Sequence, residues 1–270
     1  MLYGWAGQHL FSGPQVRCYM RREKIVPFVS AAAGTRTEPK SRLAMKLSST
    51  LRMEAIGLAL VAGYVDGYAL RVFGIYVSFM SGNTTVTGVN AGQGNFPLAL
   101  PSALSIAGFL SGSFAGNWVV HSGICYSRRL LFFAAAALLA CFVILNLHTF
   151  RHANLSLPLL SLAMGMINPA VSRVGSEPVS LTFVTGTLNK IGDHLALSVR
   201  HAPLPNAEGT WDTHFYRAAL EASVWTGFLA GAVLSGVLSH RLGVVELVPA
   251  AIALIAFALI VRAPGVIPQS

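Results

Sequence analysis

From Ala55 onward the chain consists of long apolar runs separated by short polar breaks. The runs cover 55–73, 98–120, 130–147, 155–172, 216–239 and 244–262. Each has about the 17–25 residues that an α-helix needs to cross a hydrocarbon core of about 30 Å. Strands are not expected, because the runs are long and lack the alternation of a membrane β-barrel. The pattern predicts an all-α polytopic membrane protein with about six transmembrane helices.

Two further segments are too polar for ordinary lipid-facing helices. Residues 77–91 read VSFMSGNTTVTGVNA, and residues 181–196 read LTFVTGTLNKIGDHLA. Both are rich in glycine, threonine and asparagine while remaining moderately apolar. We expect each to form a polar half-helix within the bundle. The alternative is that both segments cross the membrane, which gives eight spans.

Three stretches of the first half match three stretches of the second half in the same order. The matches are GYVD at 63–66 with GMIN at 165–168, FMSGNTTVTG at 79–88 with FVTGTLNKIG at 183–192, and AGFLSG at 107–112 with TGFLAG at 226–231. Each match alone is weak, because small residues are common in membrane helices. Together they predict an internal duplication, with a first membrane repeat at 53–148 and a second at 155–264.

The orientation of the two repeats relative to each other in the membrane depends on the number of spans. If the polar segments do not cross, each repeat has three spans, an odd number, and the repeats are inverted. The cytoplasmic side then holds the N-terminus, Arg128, Arg129, the 173–215 loop and Arg262. Since cytoplasmic loops carry an excess of lysine and arginine, the charges favour the inverted arrangement with a cytoplasmic N-terminus.

The composition supports a membrane protein and excludes a soluble domain. Of the 270 residues, 54% are hydrophobic and 11% are charged, whereas a soluble domain has about 25% charged residues. Nine of the 19 lysines and arginines precede Met53, so the net charge of +9 does not indicate nucleic-acid binding. Residues 1–50 are predicted to be a basic, poorly ordered N-terminal extension. Alternatively, translation starts at Met45 or Met53.

Asp66 is the leading candidate for a functional residue. It lies within the first apolar run, where an ionisable group costs about 3 kcal/mol or more and usually faces a cavity or a partner. It is therefore a candidate substrate-binding or proton-carrying residue. The structural alternative is an ion pair with Arg71 or a hydrogen bond to a neighbouring helix. Asn168, which matches Asp66 in the second half, cannot titrate.

The two polar segments provide the remaining candidate site. Polar, glycine-interrupted segments at matching positions of two halves indicate a transporter site near the middle of the membrane. The alternative is close helix packing stabilised by threonine and asparagine hydrogen bonds. The candidate substrate or ion residues in these segments are Ser81, Gly82, Asn83, Thr84, Thr85, Thr185, Gly186, Thr187, Asn189 and Lys190.

We expect the remaining polar groups and the glycines to have structural roles. Lys190 and Asp193 have the spacing of a helical ion pair, which we place at the cytoplasmic interface. Glu246 is expected at the membrane surface. Glu221 is also expected near the interface, and the alternatives are a helix cap or a residue that lines a site. Tight helix packing is expected at six glycines, namely Gly108, Gly112, Gly116, Gly227, Gly231 and Gly236.

The sequence predicts neither an enzyme nor a cofactor-binding protein. The eight histidines and three cysteines lack metal-ligand spacing, so no metal site is expected. A nucleotide-binding motif and a catalytic set are also missing from the sequence.

The stretches AGYVDGYAL at 62–70, VSFMSGNTT at 77–85 and MGMINPAVSRVGSEPVSLTFVTGTLNKIGDHLA at 164–196 resemble the YoaK family. Its members are bacterial membrane proteins grouped under a domain of unknown function. The resemblance covers about 55–262 and implies a six-span, multi-pass protein of the bacterial cytoplasmic (inner) membrane without an established substrate.

Two functions follow as hypotheses. The first is a secondary transporter or channel for a small solute, which binds between the two polar segments with Asp66 tuning its binding or coupling its transport. The second is a membrane scaffold or partner subunit that does not transport. In both cases the lipid bilayer is the expected surrounding and nucleic acid is not an expected partner.

Overall fold

The structure, a computed structural model, describes residues 38–124, 126–147, 153–171, 173–174, 177–178, 184–204, 207 and 209–261. This part of the chain forms eight α-helices: α1 (Glu38–Phe73), α2 (Met80–Gly92), α3 (Phe96–His121), α4 (Ser127–Leu147), α5 (Ala153–Ile167), α6 (Val184–Val199), α7 (His214–Leu242) and α8 (Val248–Ile260). Short 3-10 turns follow α5 at Asn168–Val171 and α7 at Gly243–Leu247. A small antiparallel hairpin pairs β1 (Arg173–Val174) with β2 (Glu177–Pro178).

The all-α polytopic architecture is confirmed. Among the described residues, four helical segments are long and apolar enough to cross a membrane: Thr50–Phe73, Phe96–His121, Ser127–Leu147 and His214–Ser239. The two other predicted spans are shorter as α-helices, because α5 and α8 each border a 3-10 turn. Six crossings therefore stay a prediction.

The first helix begins earlier than the apolar pattern indicates. Helix α1 starts at Glu38, within the N-terminal extension that the sequence predicts to be poorly ordered. Lysine, leucine, methionine and alanine in residues 40–47 are good helix formers, and they extend the helix of the following apolar run backwards. The rest of the extension, residues 1–37, lies outside the described residues.

Residue pairs across the interfaces give the direction of each long helix. Contacts of Ile56 with Gly227 and Leu60 with Gly231 show that α1 and α7 run parallel. In the same way, α3 and α5 run parallel, because Gly108 meets Pro158 and Gly112 meets Leu162.

Helices α4 and α8 complete the bundle. Arg129 bonds Val261 and Phe132 lies beside Phe257, so these two helices are antiparallel. Helix α4 runs in the direction of α1, because Glu54 pairs with Arg128 while Tyr68 stacks edge-on against Phe142. The hydroxyl of Ser156 at the start of α5 bonds Asn146 at the end of α4, so α5 and α4 are antiparallel. Thus α1, α4 and α7 point one way, whereas α3, α5 and α8 point the other way.

Glycines allow the closest helix contacts. A Cβ atom on Gly112 would lie 2.1 Å from the carbonyl oxygen of Leu162, and one on Gly231 would lie 2.0 Å from that of Leu60. Real side chains cannot approach backbone so closely, so these positions require glycine. Five of the six predicted packing glycines make such contacts. Gly236 is the exception, because a Cβ there would meet no described atom within 4 Å.

Candidate functional site

Asp66 anchors the loop that follows α1. After Phe73 the backbone turns at Gly74, whose φ of +69° favours glycine, and the chain returns along the helix. The Oδ1 atom of Asp66 accepts hydrogen bonds from the amides of Val77 and Ser78, both at 2.8 Å. Its Oδ2 atom accepts the Ser78 hydroxyl at 2.5 Å. The carboxylate, 3% exposed, is therefore fully engaged by the loop.

The returning loop places the start of α2 deep within the bundle. The amide of Asn83 donates to Ser105 and to the carbonyl of Tyr76. One turn later Thr87 bonds Ser102. The two contacts show that α2 runs antiparallel to the first half of α3 and reaches only the level of Ser105. It is a half-helix, as the sequence predicts.

Helix α6 has the same relation to α7. Lys190 contacts Glu221 and, further along α6, His194 contacts His214 at the start of α7. Helix α6 therefore runs from the middle of the bundle to the end at which α7 begins. It is the second half-helix.

A cavity of about 200 Å³ lies where the two half-helices begin. Phe79, directly before α2, and Val184, the first residue of α6, both line it. Helix α1 contributes Asp66 to the wall, and α7 contributes Phe228 and Ala232. The walls are mostly apolar and aromatic, since the Asp66 oxygens bond the loop.

The other predicted site residues of the first segment fall into two groups. Asn83 is buried in the hydrogen bonds described above, and Gly82 packs on the ring of Phe79. Ser81, Thr84 and Thr85 are exposed on the outer face of α2. The two threonine hydroxyls donate back to the carbonyls of Met80 and Ser81, so neither lines the cavity.

The second segment shows a similar division. Thr187 is buried and Lys190 points to α7, whereas Thr185 and Asn189 are exposed and Gly186 is half-buried. Asn168 starts the 3-10 turn after α5 and is half-buried. The structure thus brings Asp66 and the starts of both half-helices to one cavity, but not the hydroxyl groups.

Four predicted structural roles are wrong. Arg71 pairs with Glu246 instead of Asp66, because the loop amides already occupy the aspartate. Glu246 is buried rather than at the surface, since it also accepts the Ser235 hydroxyl at 2.8 Å. Its carbonyl oxygen accepts the Tyr64 hydroxyl at 2.7 Å.

The third and fourth errors concern Lys190 and Glu221. The ammonium of Lys190 lies 3.0 Å from Glu221, whereas Asp193, less than one turn further along α6, is exposed. Glu221 is 0% exposed, so it lies inside the bundle and not at the interface. The sequence signal for this contact is the i, i+3, i+7 spacing of His214, Arg217 and Glu221, which places three polar groups on one face of an apolar helix.

Comparisons with known proteins agree with this architecture. Residues 55–260 match the family described as "Protein of unknown function (DUF1275)". The chain is 32% identical over 201 residues to a UPF0700 transmembrane protein of Rhizobium meliloti (strain 1021), an alignment that covers 71% of this chain and 80% of that protein. No solved structure matches the chain. The matches confirm the predicted resemblance and a multi-pass membrane protein in contact with the bilayer.

Proposed function

The chain belongs to the DUF1275 family of proteins of unknown function, and we propose that it is a secondary transporter or channel for a small solute. The observation that supports this proposal most strongly is the cavity at which α2 and α6 both begin. Transporter sites are typically formed in the middle of the membrane by half-helices from two matching halves of the chain. The proposed activity is transport without a catalytic step.

Matching helix contacts in the two halves of the chain support this proposal. Gly63 packs on the Phe228 carbonyl, and Gly165 packs on that of Phe109. These are matching pairs in the two sequence repeats, so α1 contacts α7 in the way that α5 contacts α3. The equivalent helices of the two halves, α1 with α5 and α3 with α7, point in opposite directions, as an inverted repeat requires. Inverted repeats are a common basis of alternating access.

The volume and the lining of the cavity limit the size and charge of the proposed solute. A volume of about 200 Å³ equals about seven water molecules at roughly 30 Å³ each. Phe79, Tyr76 and Phe228 supply aromatic walls, and the Asp66 carboxylate is occupied by the loop. A small solute without a positive charge fits this lining better than a cation.

The test is a screen for solutes that raise the melting temperature of the purified protein. A ligand stabilises the native state by mass action. The informative variant is Ala232→Leu, which fills the cavity, and its control is Ala230→Leu on the exposed face of the same helix. The proposal expects a solute that stabilises the wild type and Ala230→Leu but not Ala232→Leu, and that is taken up by proteoliposomes. Equal stabilisation of all three proteins would contradict a site in the cavity.

A membrane scaffold is the second candidate. It is favoured by the complete engagement of Asp66 with the loop, which gives this intramembrane charge a structural role. A scaffold predicts that Ala232→Leu changes neither binding nor uptake of any solute in the screen.

A further inference from the structure

A row of buried ionisable side chains lies between α6 and α7. The α6–α7 polar cluster consists of Lys190, His194, Asp212, His214, Arg217 and Glu221. All but Lys190 are less than 9% exposed. Ionisable groups within a membrane bundle are costly, and they usually mark a substrate, ion or proton path.

The cluster is ordered along the bundle. The Lys190–Glu221 pair lies deepest, with its oxygen and nitrogen 3.0 Å apart. The His194–His214 pair follows about one turn nearer the end, with the two Nδ1 atoms 3.1 Å apart. Glu221 lies seven residues before Phe228 of the cavity wall, which corresponds to about 10 Å of helix. The cluster therefore extends from the end of the bundle to within about two turns of α7 of the cavity wall.

Arg217 and Asp212 have a different role in the cluster. The guanidinium donates to both carboxylate oxygens, at 3.0 Å and 2.8 Å. Such a bidentate pair keeps both groups charged. The fixed pair is therefore not a proton acceptor, but its two opposite charges lie beside the histidines without adding net charge.

The histidine pair can receive and pass a proton. A hydrogen bond between two Nδ1 atoms requires that one ring donates and the other accepts. The Nε2 atom of His214 is buried and has no hydrogen-bond partner among the described residues. This nitrogen is thus the position at which the histidine pair can take up a proton.

The geometry points to a proton path, and we propose that the α6–α7 polar cluster conducts protons between the membrane surface at the start of α7 and the cavity. This inference rests on the proposed transport function and names its coupling ion. In each step His214 takes up a proton at Nε2 and gives its Nδ1 proton to Nδ1 of His194. His194 then releases its Nε2 proton to the carboxylate of Glu221, directly or through a water molecule. Glu221 then releases its proton towards the cavity, and each ring regains its first tautomer by exchanging protons with water.

The charged neighbours of the histidine pair come from each surrounding element. Lys190 lies on the same face of α6, Arg217 and Glu221 lie on α7, and Asp212 precedes α7. Helix α1 contributes Arg52, which lies over the ring of Tyr216. Glu54 of α1 forms an ion pair with Arg128. Asp66 is less available as a proton carrier than this cluster, because its two oxygens already accept three hydrogen bonds from the loop.

The test measures proton flux into liposomes that contain the purified full-length protein. A potassium gradient with valinomycin drives protons inward, and pyranine inside reports the pH. His214→Asn retains a polar group near the Nδ1 position but cannot relay a proton. The control, His121→Asn, changes an exposed histidine at the end of α3. Glu221→Gln is the second variant and keeps the shape of the buried side chain.

The proposal expects wild-type flux above that of empty liposomes and unchanged flux in His121→Asn. His214→Asn and Glu221→Gln should each lower the flux about 100-fold, the low end of the contribution of a positioned acid–base group. Wild-type flux equal to that of empty liposomes, or full flux in both variants, would overturn the path. A solute that still raises the melting temperature of His214→Asn would then show that the cavity binds solute without this path, which separates the two proposals.

Discussion

Gly63 of α1 lies so close to Phe228 of α7 that an added Cβ atom would be 2.0 Å from the Phe228 carbonyl oxygen. Because the obstacle is backbone, the helices must separate to accept a side chain. We expect Gly63→Ala to lower the free energy of unfolding by about 1–3 kcal/mol or more, the range for overpacking. The measurement is thermal unfolding in detergent. Gly236→Ala is the control, since a Cβ there meets no described atom within 4 Å, and it should be neutral or slightly stabilising.

Gly165 provides a test of the duplication. A Cβ there would lie 2.2 Å from the carbonyl oxygen of Phe109, the residue that matches Phe228. If the halves are true repeats, Gly165→Ala should reduce the melting temperature about as much as Gly63→Ala. A wild-type melting temperature for one of the two variants would contradict equivalent packing in the two halves.

Much of this fold follows from the sequence, whereas most of the site does not. The apolar runs predict the long helices, and the spacing of Gly108 and Gly112 predicts a close contact, because both properties are local. The partner of Asp66 is not local in this sense. It depends on how the chain turns at Gly74 and returns, which a hydrophobic pattern does not encode.

The buried cluster illustrates the same limit. His194 and His214 are separated by 20 residues, and their contact requires α6 to fold back on α7. Lys190 also has Asp193 nearby in sequence, which makes the local ion pair the simpler prediction. Lys190 pairs with Glu221 instead, because the buried Glu221 carboxylate requires a cation.

Substitutions at Asp66 separate its structural role from a binding role. Asp66→Ala leaves the Val77 and Ser78 amides without their acceptor, at a cost of about 1–3 kcal/mol for each buried group. Asp66→Asn retains one acceptor oxygen for these amides. We therefore expect the alanine variant to melt well below the asparagine variant, which should remain close to wild type. Equal losses of stability in both variants would show that the negative charge itself is required.

The ion pair of Arg71 and Glu246 should respond unequally to the loss of either partner. The Glu246 side chain is 2% exposed, whereas that of Arg71 is 33% exposed. Arg71→Met leaves a buried carboxylate without its cation and should cost about 3 kcal/mol or more. Glu246→Gln leaves an arginine that can still reach solvent, so its cost should be smaller.

The double variant Arg71→Met/Glu246→Gln completes this thermal-unfolding cycle. It removes both charges, and it should recover part of the stability lost in Arg71→Met. A double variant whose loss equals the sum of the single losses would show that the two charges do not stabilise each other.

The last prediction concerns the number of crossings. Helix α2 has 13 residues and extends about 20 Å, which is shorter than a hydrocarbon core of about 30 Å. If α2 does not cross and the N-terminus is cytoplasmic, Asn95 lies outside and Ser122 lies inside. Single cysteines at these exposed positions, in a background with the native cysteines replaced by serine, can be labelled with an impermeant maleimide on spheroplasts. We expect Asn95→Cys to be labelled directly, and Ser122→Cys only after permeabilisation. Eight crossings predict the reverse, because an additional span before α3 exchanges the sides of both positions.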